Sequence, residues 1–166
     1  MCLKVYSFDA EAAPVNLRFE RFALPLMFCL VGICSANAQD ATCKLVVHIS
    51  GFRNAKGEAG ATLFSSEDGW PEDNDKAIRH GGFPIDPATK TSTVTFDKLA
   101  PGIYAFAMIH DENMNHKMDY NMFHYPKEGF GFANSPHVGL SPPPFKDGSF
   151  NLKCPVTEIN LTVQYK

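Results

Sequence analysis

From Cys43 onward the hydrophobic pattern has a period of two. Cys43, Leu45, Val47 and Ile49 alternate with Lys44, Val46, His48 and Ser50, which predicts a strand with one face in a core. A turn-like stretch from Gly51 to Gly57 leads into a second short strand, Ala59 to Ser65. Thr91 to Phe96 is rich in β-branched residues, and Pro101-Gly102 then turns the chain into Ile103 to Ile109. That run is apolar on both faces and is predicted to be central. A weaker strand is expected from Ser149 to Lys153. A last one over 156–165 points Ile159, Leu161, Val163 and Tyr165 inward and Glu158, Asn160, Thr162 and Gln164 outward. Six or so short strands without long helical periods predict an all-β fold, an antiparallel β-sandwich.

Two stretches break the pattern. Trp70-Pro71-Glu72-Asp73, with Gly81-Gly82 downstream, predicts a short helix over residues 71–80, with Trp70 as a packing anchor. Between Asp111 and Asp147 the chain is a long irregular loop rich in Gly, Pro and aromatic residues. Loops of that length are functional or disordered. Phe123, Tyr125, Phe130, Phe132 and Phe145 argue against disorder, because so much aromatic surface requires burial.

The N-terminus adds a compartment. Arg18 and Arg21 precede the apolar run Phe22 to Ile33, and Ala36-Asn37-Ala38 has the small-x-small form of a cleavage site. Residues 1–38 are therefore read as a signal peptide and 39–166 as one β-sandwich domain, periplasmic or secreted after cleavage near Ala38. Asp9, Glu11 and Glu20 make the preceding segment unusually long and acidic, which points to a start codon downstream of Met1. The leader's basic and acidic residues balance, so the remainder keeps the formal net charge of −3. A mildly acidic domain without a basic run argues against nucleic-acid binding. No apolar stretch after the leader is long enough to span a bilayer. Of the 5 cysteines, only Cys43 and Cys154 remain after cleavage, each at the start of a terminal strand, and an oxidising compartment predicts a disulfide between them.

The chemistry concentrates at the end of the central strand. Asp111, Asn113, Asn115 and Asp119 place short oxygen-bearing side chains at positions 1, 3, 5 and 9 of a tight loop, with the backbone carbonyl of Lys117 at position 7. Oxygen ligands at that spacing suit Ca²⁺. The competing reading is an Asx-turn network, in which the same side chains bond their own backbone. A true EF-hand is excluded, since His116 stands at the sixth place and Met122 at the twelfth, where Gly and Glu are needed.

Several ordered motifs resemble one family. Gly51-Phe52-Arg53-Asn54, Lys56-Gly57 and Leu63-Phe64 open the match, and Leu99-Ala100-Pro101-Gly102-Ile103-Tyr104-Ala105 and His110-Asp111-Glu112-Asn113 continue it. It is strongest at Pro126-Lys127-Glu128-Gly129-Phe130-Gly131-Phe132-Ala133-Asn134 and Pro143-Pro144-Phe145. Together they resemble a secreted bacterial family catalogued as domain of unknown function 2141, over nearly the whole chain after the leader. The resemblance implies an exported sandwich, immunoglobulin- or transthyretin-like, and brings no activity with it. Relatives typically carry Gly at the positions of Met114 and His116, where this chain is bulky.

A second constellation overlaps the loop. His110, Met114, His116, Met118, Met122 and His124 crowd imidazole and thioether groups that suit copper. Catalysis has weaker support, because no nucleophile elbow, phosphate loop or His-Glu-x-x-His run is present. The leading expectation is a non-enzymatic exported binding module for an unidentified protein or small molecule, with Ca²⁺ as the one candidate cofactor. Its expected binding surface contains Lys127, Glu128, Phe130, Phe132 and Asn134. The alternative is a periplasmic copper-binding protein.

Overall fold

The computed structural model describes residues 42–139 and 141–166. The leader, its cleavage site and Cys2, Cys29 and Cys34 lie outside the described residues. The strands follow in order: β1 (Cys43–Ser50), β2 (Glu58–Phe64), β3 (Arg79–Phe83), β4 (Ser92–Leu99), β5 (Gly102–Asp111), β6 (Gly129–Phe132), β7 (Ser149–Leu152) and β8 (Val156–Thr162). They form two packed sheets. One is β4-β1-β8; the other is β3-β2-β5, with β7 and β6 on the far edge of β5. The fold is the expected all-β sandwich.

Alternation places the core. Leu45, Val47 and Ile49 of β1 and Val94 and Phe96 of β4 are buried against Ala59, Ala61 and Leu63 of β2 and Phe106 and Met108 of β5. β5 runs two residues past the expected end, so His110 and Asp111 belong to the strand and both are fully buried. Strand pairs are antiparallel with one exception: β1 and β8 are parallel, from Lys44↔Val156 to Ser50↔Thr162. Their starts are therefore level, and the Cys43–Cys154 disulfide joins them with Cα atoms 4.6 Å apart. After Thr162 the chain crosses to the other sheet. Phe130 and Gln164 exchange backbone hydrogen bonds of 2.8 and 2.9 Å, which closes the sandwich along that edge.

The helix expected over 71–80 is not formed. Residues 67–76 make successive turns, and Arg79–Phe83 becomes an edge strand paired to β2, with Gly60 opposite Gly82. The reason is legible in the segment itself. After Pro71, Ile78 is its only sizeable apolar side chain, so a helix would have no stripe to bury. Trp70 is the anchor instead: its ring packs edge-on to Phe64 and Phe145 and tilts against Phe132, and its indole N–H donates to Pro143 O at 2.8 Å.

The long excursion is less irregular than expected. It contains β6 and ends in a 3-10 turn, Phe145–Gly148. Phe130 and Phe132 point to the outer face of the five-stranded sheet, where they form a second cluster with Ala107 and Val138. Gly129 and Gly131 face the opposite way, where a Cβ would lie 2.5 Å from Tyr165 and 2.4 Å from Leu161 respectively. Phe123 and Tyr125 depart from the expected burial. They sit at a tip, residues 120–126, closed by Asn121 onto Tyr125, and Phe123 is 73% exposed. A turn that short has no second layer to fold against.

Candidate functional site

The end of β5 delivers Asp111 to the outer face of the sheet beneath the loop that follows. Its backbone is pressed by Gly57, whose φ of +72° and missing Cβ allow the approach; a Cβ there would lie 1.9 Å from Asp111 O. The loop folds back over the carboxylate. Asp111 Oδ1 accepts from Asn115 N at 3.1 Å, and Oδ2 accepts from His116 N at 2.7 Å. Asn113 Oδ1 accepts from Asn115 N and Asn115 Oδ1 from Lys117 N, a run of Asx turns. The Asn113 and Asn115 amide groups donate to the two oxygens of Asp119 at 2.8 and 3.1 Å. The sharp turn is made without glycine: Met114 and His116 adopt φ of 62° and 59°.

Glu128 closes the loop from the far side of the excursion. Its oxygens accept from Glu112 N at 3.1 Å and Asp119 N at 3.2 Å, so one buried carboxylate grips both ends of the loop. Burial raises its pKa above the usual carboxylate range, and the nearby charges of Asp111 and Asp119 raise it further, against the two backbone N–H bonds that lower it. Two buried carboxylates, Asp111 and Glu128, therefore lie near the partly exposed Asp119.

A second network braces this corner from the interior side. His110 points inward, its ring edge-on to Phe52 at 5.1 Å. Lys56 O, 2.9 Å from Nε2, can only accept, so Nε2 carries the proton and Nδ1 accepts from the Tyr165 hydroxyl at 2.8 Å. Burial holds the His110 pKa below its ordinary value. Arg53 spans the network's rim. It donates to Glu112 and to Lys127 O, and its guanidinium lies 4.9 Å over the Tyr165 ring. The Glu112 pKa is lowered chiefly by that Arg53 hydrogen bond. Asn54 also donates to Glu112, at 3.2 Å.

On the outer face, the loop walls a groove of about 290 Å³. Its floor includes Gly60, Thr62 and Gly82, its walls Pro71 and Met118, and Glu58 and His116 stand at one end. The opposing loops meet at two points: the Tyr120 hydroxyl donates to Glu72, and Asn74 donates to His116 O at 3.4 Å. Burial, and then Glu72, push the Tyr120 pKa upward.

The expected sites divide accordingly. The oxygen set Asp111, Asn113, Asn115 and Asp119 is brought together around one loop. The copper set is not: His110 faces the interior with both ring nitrogens engaged, Met118 packs on the outer cluster with Phe130 and Phe132, and Met122 is 88% exposed. Of the expected binding surface, Glu128 is buried, while Phe130 and Phe132, largely buried themselves, line a second outer-face pocket of about 80 Å³ with Met118, Tyr125 and Val138. Asn134 is spent on Ser149 O at 2.6 Å, and Lys127 O on Arg53. Sequence reading missed Glu58, Arg53 and Tyr165 as parts of the site. Arg53 lies in the Gly51-Phe52-Arg53-Asn54 motif, but its partner Glu112 is 59 residues away, beyond any local periodicity.

Residues 47–160 match the family described as an uncharacterized protein conserved in bacteria (DUF2141). That is more than half of the chain, which therefore belongs to this family. No curated protein and no solved structure matches. Among the described residues no helix is long and apolar enough to cross a membrane.

Proposed function

We propose that the protein is an exported, non-enzymatic binding module whose groove is walled by a Ca²⁺-ordered loop, Asp111 to Asp119. The leader features support export. One observation carries the metal reading: Asp111 and Asp119 stand on one tight loop with Asn113, Asn115 and Lys117 O at the spacing of oxygen ligands, and the buried Glu128 carboxylate holds the loop at Glu112 N and Asp119 N and feels the charges of both. The Asn113 and Asn115 amide N–H groups face Asp119 and bring partial positive charge to it from within the loop. The Asx-turn bonds do not compete with a cation, since each oxygen keeps a second lone pair. An ion would tie Glu128 and the loop into one wall.

Isothermal titration of the chelator-treated protein, residues 39–166, should give a Ca²⁺ Kd of about 10⁻⁵–10⁻³ M with weaker Mg²⁺ binding. Asp119→Asn should weaken it by roughly ten-fold or more. The raised Glu128 pKa fixes the pH dependence. Its carboxyl must lose a proton for Ca²⁺ to bind, so apparent affinity should rise with pH through that raised pKa and binding should release protons there. Glu128→Gln should remove that proton release. The absence of both heat and a melting-temperature shift at millimolar Ca²⁺ would overturn the reading.

A further inference from the structure

Glu58 and Asp111 sit directly opposite one another across β2 and β5, at the end of the groove. Like charges in that position repel. Water screens them little, since the Asp111 side chain is fully buried and that of Glu58 is 16% exposed. Among the described residues, the single ion-pair partner of either carboxylate is His116. Its Nδ1 lies 3.1 Å from Glu58 Oε1 and 3.8 Å from Asp111 Oδ2. Glu58 Oε1 is buried and, despite that proximity, accepts no aligned hydrogen bond. A buried carboxylate oxygen without a donor is costly.

His116 is also held in a conformation that disfavours it. Its φ of 59° is left-handed backbone, which glycine adopts freely and which costs other residues on the order of 1–2 kcal/mol. What the position gains from that strain is an imidazole aimed at two carboxylates. We propose that Glu58, Asp111 and His116 form a second metal centre, for a borderline divalent cation of the zinc type, with an open position toward the groove. One ligand atom from each residue lies within 4.8 Å of the other two. Ligand bonds of about 2.0–2.2 Å in a tetrahedral zinc site place neighbouring ligand atoms roughly 3.3–3.5 Å apart, so small side-chain shifts suffice. Asp111 Oδ2 holds the His116 N–H through one lone pair and has another for the metal. The ligand set selects against Ca²⁺, which takes oxygen rather than imidazole. Three protein ligands leave the fourth place to water or to an oxygen donor of a groove ligand, and His116, 67% exposed, marks the entry.

This centre shares Asp111 with the Ca²⁺ loop and otherwise uses different atoms, so the two readings fail separately. The test is Zn²⁺ titration of the Ca²⁺-saturated protein, with Co²⁺ absorption as a second readout. The wild type should bind one Zn²⁺ at micromolar concentration or below and give a visible Co²⁺ spectrum. His116→Gly should weaken Zn²⁺ by roughly ten-fold or more and abolish the Co²⁺ bands. Its far-ultraviolet circular dichroism should match the wild type, because glycine adopts the turn freely, and its Ca²⁺ heat should persist. Glu58→Gln should weaken Zn²⁺ similarly. Equal Zn²⁺ affinity in wild type and His116→Gly, or no uptake by the wild type, would overturn the proposal.

Discussion

Reducing the Cys43–Cys154 bridge should lower the melting temperature by roughly 10–20 °C. The bridge spans a sequence separation of 111 residues, so in the chain-entropy model it removes about 5 kcal/mol of unfolded-state freedom, an upper value. It also sits where the sandwich needs it. β8 is held to its own sheet through the parallel pairing with β1, and the bridge locks the two strands level at their starts. Lys44 N donates to Pro155 O at 3.0 Å beside it, so the covalent link and the first rung of the pairing reinforce each other. Differential scanning calorimetry with and without reductant checks the shift. A fall of less than about 3 °C would show that the parallel pair holds without its staple.

Gly57→Ala should be the most damaging single-methyl substitution, costing about 2–4 kcal/mol and weakening Ca²⁺ binding at the same time. Two effects add. The φ of +72° is strained for any residue with a Cβ, and that Cβ would overlap Asp111 O at 1.9 Å, a backbone atom that cannot swing aside. Relief requires the turn before β2 to move off the end of β5. That movement shifts Asp111, and it disturbs Lys56 O, the acceptor for His110. Urea unfolding alongside Ca²⁺ titration reads both. A variant within about 0.5 kcal/mol of wild type with unchanged Ca²⁺ affinity would contradict this account of how the loop is positioned.

The sequence showed some of this clearly and hid the rest for physical reasons. β1 was legible because Leu45, Val47 and Ile49 alternate with solvent-facing residues, and the bridge because Cys43 and Cys154 open terminal strands. β5 was seen as central but ended early, since buried His110 and Asp111 look polar until their partners Tyr165, Lys56 and the loop N–H groups are in place. β6 was missed because Gly-Phe-Gly-Phe alternates in size rather than polarity, with both faces buried. β3 was missed, with Arg79 and His80 falling at the end of the helix expected over 71–80, because Pro71 and its neighbouring acids resemble a helix start, while the strand's role depends on pairing with β2. The loop's oxygen spacing is local and was readable. The contributions of Glu58 and Glu128 are not, since each arrives from a separate strand or turn.

Amide chemical shifts during Ca²⁺ titration test the central claim most directly, because the N–H groups of Glu112, Asn115, His116, Lys117 and Asp119 donate to the oxygens proposed as ligands or to the carboxylate that grips them. The account predicts that these five amides shift most and saturate together. Saturating Ca²⁺ that leaves them unmoved, or moves residues elsewhere in the sandwich more, would contradict it.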